Sequence, residues 1–154
     1  MTVYLVQHAK AAPKEVDPGR CLTAEGRQEL ARVAALIGRL DVKVDYLWHS
    51  GKTRAAQTAE VLSEVVAVRK ETAVRDGLGP NDDVTVIRDE IISSRADVMI
   101  VGHLPFVGKL ASLLLTGDAS AGVLAFQQGC VVCVEQTTEA GWQVKWMITP
   151  ELLA

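Results

Sequence analysis

Two histidines and one arginine of this 154-residue chain stand just beyond short apolar segments: His8, His103 and Arg54. A neutral imidazole is a competent nucleophile towards phosphorus, and a guanidinium can bind two phosphoryl oxygens at once. No Asp/Glu pair accompanies the histidines, and no group of residues has the spacing of a metal site. Such a set of side chains is typical of phosphoryl transfer, in which positioning and charge neutralisation do most of the work.

The segments that must position these side chains alternate between strand and helix. Residues 2–6 are uncharged and rich in β-branched side chains, which indicates a strand buried on both faces. Ligands of open α/β sheets bind at the carboxyl ends of such strands. We therefore predict one domain over 1–154, a three-layer αβα sandwich whose mostly parallel sheet ends in an antiparallel hairpin. Further strands are expected at 44–48, 67–74 and 97–101, helices at 23–40, 50–66, 84–92 and 105–115, and the hairpin at 131–136 and 142–148.

Composition excludes several classes of protein. With 49% hydrophobic and 23% charged residues the chain is globular, and its net charge of −3 argues against general nucleic-acid binding. It has no run of eighteen apolar residues, so we expect no membrane span, and its first apolar run is too short for a signal peptide. The three cysteines are odd in number and two of them stand in an apolar strand, which favours a reducing, cytoplasmic location.

The tripeptide Gly-Lys-Thr at 51–53 invites assignment as a nucleotide-binding P-loop. That motif requires a glycine five positions earlier, where this chain has Tyr46. We instead interpret Ser50 as a helix cap and place Arg54 in the first helical turns, where backbone amides and the helix dipole favour an anion. The alternative is a surface arginine on a solvated helix face.

A second candidate lies in residues 102–108, where His103 ends the most apolar strand and Pro105 opens a helix. In that position His103 can face the same sheet edge as His8 and donate to an anion there. The alternative is a histidine that only satisfies backbone groups at the helix start. His49 also ends a strand, but it has no obvious partner and we treat it as a bystander.

Taken together, these motifs resemble those of the histidine phosphatase superfamily, and specifically its small SixA-like phosphohistidine phosphatases. The resemblance covers nearly the whole chain, from Val3 to about Ile148. It rests on Gln7-His8-Ala9, Leu22-Thr23-Ala24-Glu25-Gly26, Ser50 with Arg54-Ala55-Ala56-Gln57-Thr58, Leu78-Gly79-Pro80 with Asp83, and Gly102-His103-Leu104-Pro105.

The resemblance implies a phosphoglycerate mutase-like fold and a phosphatase that needs no cofactor and no metal. It implies that His8 is the nucleophile, that His103 is the second histidine of the pocket, and that Arg54 binds phosphate. The expected partner is a phosphorylated protein carrying phosphohistidine, or a small phosphorylated substrate, with inorganic phosphate as product. We expect no nucleic acid and no membrane as partner.

This chain departs from the family at its first motif, which reads Arg-His-Gly elsewhere and Gln7-His8-Ala9 here. Gln7 can donate a hydrogen bond to a phosphoryl oxygen but carries no charge, and losing one such donor commonly costs about 10²–10³ in rate. Lys10, Lys14 or Arg20 could supply the missing charge. Our candidates for substrate binding are Gln7, Ser50, Arg20 and Lys10. The departure also leaves open a second function, a module that binds phosphate or phosphohistidine without turnover.

Enzymes that cleave phosphate esters usually protonate the leaving oxygen with a carboxylic acid. Asp82 and Asp83 are the nearest candidates here, and both could equally be solvated turn residues. A phosphoramidate leaves readily once its nitrogen is protonated, so phosphohistidine is the favoured substrate and a small-molecule phosphomonoester is the alternative. The spacing of Cys130 and Cys133 puts their thiols on opposite faces of a strand, which predicts packing and not redox chemistry.

Overall fold

The protein is a six-stranded mixed sheet covered by helices on both faces, as the computed structural model shows for residues 1–139 and 141–154. The predicted turn at 137–141 includes residue 140, which lies outside the described residues. The strands are β1 (Thr2–Gln7), β2 (Lys43–His49), β3 (Ala67–Val74), β4 (Val98–Gly102), β5 (Val131–Gln136) and β6 (Trp142–Ile148). The helices are α1 (Ala24–Arg39), α2 (Thr53–Ser63), α3 (Val84–Ser94), α4 (Phe106–Thr116) and a short 3₁₀ helix (Pro150–Leu153).

Strand order in the sheet is β3-β2-β4-β1-β5-β6. The first four of these strands are parallel, whereas β5 runs antiparallel to β1 and β6 antiparallel to β5. Gln7 stands opposite Gly102 in the β1–β4 ladder, so the residues that follow them leave the sheet side by side. The predicted αβα fold with a parallel centre and an antiparallel C-terminal hairpin is confirmed.

The helices divide between the two faces of the sheet. Side chains of α1 and α2 pack in one apolar cluster, and those of α3 and α4 pack in another. Strand β1 contributes to both clusters, with Leu5 on one side and Val6 on the other, and every residue of β4 is buried. Burial on both faces explains why these strands carry almost no polar side chains.

Two helix starts differ from the sequence-based expectation. Helix α2 begins at Thr53 and not at Ser50, because Gly51 adopts a φ of +86° and turns the chain before the helix. Lys52 occupies the cap position and makes no side-chain capping bond. Pro105 precedes the first turn of α4 as its cap residue. Among the described residues, no helix is long and apolar enough to cross a membrane.

Candidate active site

The two predicted histidines meet at the carboxyl edge of the central strands. His8 follows β1 and His103 follows β4, and their ring centroids lie 5.1 Å apart. Both side chains are buried, with 6% and 2% of their surface exposed. The backbone N–H of His8 donates to the Gly102 carbonyl at 3.0 Å, which ties the two strand ends together beyond the ladder.

The His8 ring has a defined orientation. Its Nδ1 lies 2.7 Å from the carbonyl oxygen of Ala9. Because a carbonyl oxygen only accepts hydrogen bonds, Nδ1 carries the proton and Nε2 keeps its lone pair. Burial lowers the pKa of His8, and the positive charges of Arg54 and Arg20 act in the same direction against the opposing effect of the Ala9 bond. His8 is therefore a neutral imidazole with a free nucleophilic nitrogen.

The His103 ring is held through its other nitrogen. Its Nε2 lies 2.6 Å from Ser50 Oγ, while its Nδ1 is buried without a hydrogen-bond partner. Burial lowers the pKa of His103 to about 3, with Arg54, His8, Lys52 and Arg20 adding to the shift. Ser50 is thus not the helix cap that we predicted. Its hydroxyl contacts the ring of His103 instead.

Arg54 and Arg20 supply positive charge to this pocket. Arg54 lies in the first turn of α2, and its buried Nε has no hydrogen-bond partner. Burial lowers the pKa of Arg54, and the nearby charge of Arg20 lowers it further. Arg20 adopts a φ of +52°, and its Nε donates to the Ala12 carbonyl at 3.2 Å. Two guanidinium groups that repel each other beside a neutral imidazole favour an anion between them.

The lysines of the first loop are placed differently. Lys10 Nζ forms an ion pair with Glu25 Oε2 at 2.5 Å, so its charge is already paired outside the pocket. Lys14 is exposed. Lys52, which we did not select, acts electrostatically on His103 and donates its backbone N–H to Ser50 Oγ at 3.3 Å. The signal for Lys52 was its position between Ser50 and Arg54, inside the tripeptide rejected as a P-loop.

Gln7 is buried and directly precedes His8, with 7% of its surface exposed. Its Oε1 is buried and has no partner, and rotating the amide by 180° would put the donor Nε2 in the same place. Of the four such unpartnered buried atoms among the described residues, three belong to Gln7, Arg54 and His103. An unpaired buried polar group costs about 1–3 kcal/mol. A bound oxyanion that satisfies the donors would remove part of that cost.

Backbone contacts hold the loop that carries His8. The Thr23 hydroxyl caps α1 by accepting from the Gly26 N–H at 2.9 Å, and the Thr23 N–H donates to the Lys10 carbonyl at 3.0 Å. A Cβ on Gly26 would lie 2.2 Å from that same Lys10 oxygen, so only glycine fits. On the other side, the Gly129 N–H donates to the carbonyls of both Gln7 and His8 at 3.0 Å.

The two candidate acids form hydrogen bonds in their own turns. Asp82 Oδ2 accepts from the Gly79 N–H at 2.7 Å, and Asp83 caps α3 by accepting from the Thr85 N–H at 2.9 Å. The bonds from Thr85 lower the pKa of Asp83, which makes it a poor proton donor. His49 likewise accepts from the Gly51 N–H, at 3.2 Å, in the turn before α2.

The sequence predicts that the two cysteines near the start of β5 are packing residues. Cys130 and Cys133 are both free and buried, as packing residues are. Among the described residues, no three His, Cys, Asp or Glu side chains are grouped so that they could hold a metal ion.

Comparison with known proteins finds phosphatases that are similar to this chain in sequence and fold. No family model matches the chain. It is 24% identical to phosphohistidine phosphatase SixA of Escherichia coli K12 over 97% of this chain and 94% of that protein. A structure of the protein histidine phosphatase SixA complexed with tungstate superimposes with a TM-score of 0.86 and 24% identity, covering 100% of both chains. The alpha-ribazole phosphatase of Shigella flexneri superimposes with a TM-score of 0.77 and 16% identity, covering 97% of each.

These similarities extend over the whole chain and include every strand and helix that positions His8, Arg54 and His103. They confirm the resemblance predicted from the sequence. The chain has the fold of these phosphatases, and it is similar to SixA along its full length.

Proposed function

We propose that this protein is a metal-independent phosphatase that removes phosphate from protein phosphohistidine through a covalent intermediate on His8. The observation that carries the proposal is the state of His8. Its Nδ1 proton is donated to the Ala9 carbonyl, its Nε2 is free, and Arg54 and Arg20 provide positive charge nearby. The similarity to SixA supports a phosphatase.

The proposed reaction has two steps. Arg54 and Arg20 bind the phosphoryl oxygens, and the lone pair of His8 Nε2 attacks phosphorus. The phosphorus–nitrogen bond of the substrate breaks, and its electron pair stays on the leaving imidazole, which is protonated. Water then attacks the phosphorus on His8, the His8–phosphorus bond breaks, and inorganic phosphate leaves. Since a protonated imidazole is a good leaving group, the reaction does not require an acid from Asp82 or Asp83.

A labelling experiment tests the intermediate. Wild-type protein incubated with a radiolabelled phosphodonor should acquire acid-labile, base-stable label, and a slow donor will favour its accumulation. His8→Ala should acquire none. His49→Ala is the matched control, because His49 also ends a strand at this edge but its ring accepts from the Gly51 N–H in the turn before α2. If His8→Ala still acquires label, His8 is not the nucleophile.

A small-molecule phosphomonoesterase is the second candidate, favoured by the structural similarity to alpha-ribazole phosphatase. A module that binds without turnover is the third, favoured by the uncharged Gln7. Turnover of a phosphohistidine peptide compared with an aryl phosphate separates the three. We expect cleavage of the peptide in preference to the ester, with no loss on adding a chelator. Preference for the ester would favour the second function, and binding without cleavage of either would favour the third.

A further inference from the structure

Thr58 connects the helix that carries the arginine to the loop that carries the nucleophile. It lies on α2, one turn after Arg54, and none of its surface is exposed. Its hydroxyl donates to the Arg54 carbonyl at 2.8 Å and accepts from the backbone N–H of Ala9 at 3.0 Å. One buried oxygen thus contacts the backbone of Arg54 and the residue directly after His8.

The contact continues from Ala9 to the His8 ring. The N–H of Ala9 is held by Thr58, and its carbonyl accepts from His8 Nδ1 at 2.7 Å. Thr58 fixes the N–H of Ala9, and the carbonyl of Ala9 orients the His8 ring. The hydroxyl of Thr58 therefore helps to determine where His8 Nε2 points. Metal-bound and catalytic histidines are commonly oriented in this way by the bond that their other nitrogen makes.

The neighbouring residue makes a similar contact. Gln57 Oε1 accepts from the Leu22 N–H at 2.8 Å, close in sequence to Arg20. The next two polar residues after Arg54 on α2 therefore bind the backbone at both ends of the loop that runs from His8 to α1. That loop needs such support, because its residues 12–21 contain neither helix nor strand.

We propose that Thr58 is a positioning residue, which holds Ala9 so that the His8 ring keeps its Nδ1–H tautomer and points Nε2 at the phosphoryl group. This role of Thr58 rests on the function proposed for His8. A hydroxyl donates and accepts at the same time, whereas valine has nearly the same shape and does neither. Thr58→Val therefore removes both bonds with little change in volume, and Thr58→Ser keeps them.

The test measures turnover, oxyanion affinity and the state of His8 in the full-length chain. Thr58→Val should lower the turnover rate about 10²-fold, the size of effect expected when a reacting group is misplaced by about 1 Å. Tungstate affinity should change much less than the turnover rate, because Arg54 and Arg20 remain. Nitrogen-15 NMR should show a loss of the single Nδ1–H tautomer, and the Ala9 amide should exchange faster. Thr58→Ser should restore all of these.

Thr116→Val is the matched control. Thr116 makes the same pair of bonds at the far end of α4, donating to the Ser112 carbonyl at 2.8 Å and accepting from the Asp118 N–H at 3.1 Å. Its loss should leave turnover and the His8 tautomer unchanged. Thr58→Ala provides a second variant without the hydroxyl if Thr58→Val does not fold.

An unchanged His8 tautomer and turnover in both Thr58 variants without the hydroxyl would overturn the proposal. Tungstate affinity that falls as much as turnover would also overturn it, since the variant would then have lost the pocket as a whole. Wild-type protein without phosphatase activity would refute the proposed function and not this inference, because the tautomer and the exchange of the Ala9 amide are measured without substrate.

Discussion

The imidazole rings of His8 and His103 lie 5.1 Å apart, with their planes inclined by 54°. Two rings can be buried this close together while both are neutral. A proton added to either ring would place a charge beside the other ring and beside Arg54, in a site with little water to screen it. The pair thus makes the stability of the folded protein sensitive to acid.

The free energy of unfolding should fall as the pH is lowered from about 6.5 towards 3. The pKa of His103 is about 3 in the folded protein and 6.5 ordinarily, so between these values the unfolded chain binds more protons. His8, whose pKa is also lowered, contributes in the same direction. Urea denaturation at a series of pH values should give a shallower pH dependence for His103→Gln than for wild type. Parallel curves would contradict the assignment of His103 as a buried neutral ring.

Replacing Arg54 by alanine should weaken the binding of phosphate, vanadate or tungstate while the fold is retained. A hydrogen bond to a charged group contributes about 1.5–3 kcal/mol, which corresponds to an affinity loss of about 10- to 150-fold. His103→Ala should weaken binding in the same direction. Isothermal titration calorimetry measures both, with Arg32→Ala on the exposed face of α1 as control. Unchanged affinity in Arg54→Ala would show that Arg54 does not bind the oxyanion.

Gln7→Arg should give no gain in turnover, because Arg20 already supplies positive charge to His8, His103 and Arg54. A buried arginine at position 7 would add repulsion to that group. Arg20→Gln should instead be costly, by about 10²-fold if Arg20 acts as a charge-stabilising donor. The double variant with Gln7→Arg and Arg20→Gln should recover part of the loss. Steady-state kinetics on a phosphohistidine peptide measures all three.

The controls for this prediction are the two lysines of the same loop. Lys14→Gln should have no effect, and Lys10→Gln should have little, because Lys10 is paired with Glu25. A rise in turnover of about 10²-fold in Gln7→Arg alone would show that the missing charge is not compensated. If none of these four single substitutions changes the rate of an active enzyme, Gln7 and Arg20 do not lie beside the phosphoryl group.

Gly26→Ala should destabilise the protein and disturb the loop that carries His8, since the new Cβ would lie 2.2 Å from the Lys10 carbonyl oxygen. Gly38→Ala in the same helix is the control. Its Cβ would meet Val65 at 3.6 Å, an ordinary contact, and alanine should stabilise the helix by about 0.5–1 kcal/mol. Thermal unfolding should therefore shift in opposite directions for the two variants. A similar shift in both would show that the backbone near Lys10 yields to the added methyl group.

Much of this architecture is predictable because it depends on local patterns. The apolar runs of β1 and β4, the Thr23 cap and the alternation of strand and helix are short-range signals, and they identified the fold and the positions of His8 and His103. Arg54 was a candidate from its place at the start of a helix, and the family motifs supported it. Each of these inferences needs only the residue type and its place at the end of a strand or the start of a helix.

The contacts between loops were not predictable in the same way. Ser50 has the residue type of a helix cap, but its hydroxyl binds His103, 53 positions away. Lys10 looks like a free cation until its distance to Glu25 is known. Gln57 and Thr58 bond to backbone groups 35 and 49 positions away, and sequence patterns contain no information on such pairings.

The reversed direction of β5 also determines which part of the fold can vary. Because β5 runs antiparallel to β1, its first residues lie at the edge where β1 ends, and Gly129 anchors them to the carbonyls of Gln7 and His8. Upstream of that anchor, residues 118–128 contain neither helix nor strand. Insertions or exchanges there leave every strand pairing of β1 intact, and long surface segments tolerate such changes at small cost. Evolution can therefore alter the length and sequence of this loop while the strand end that carries His8 stays constant.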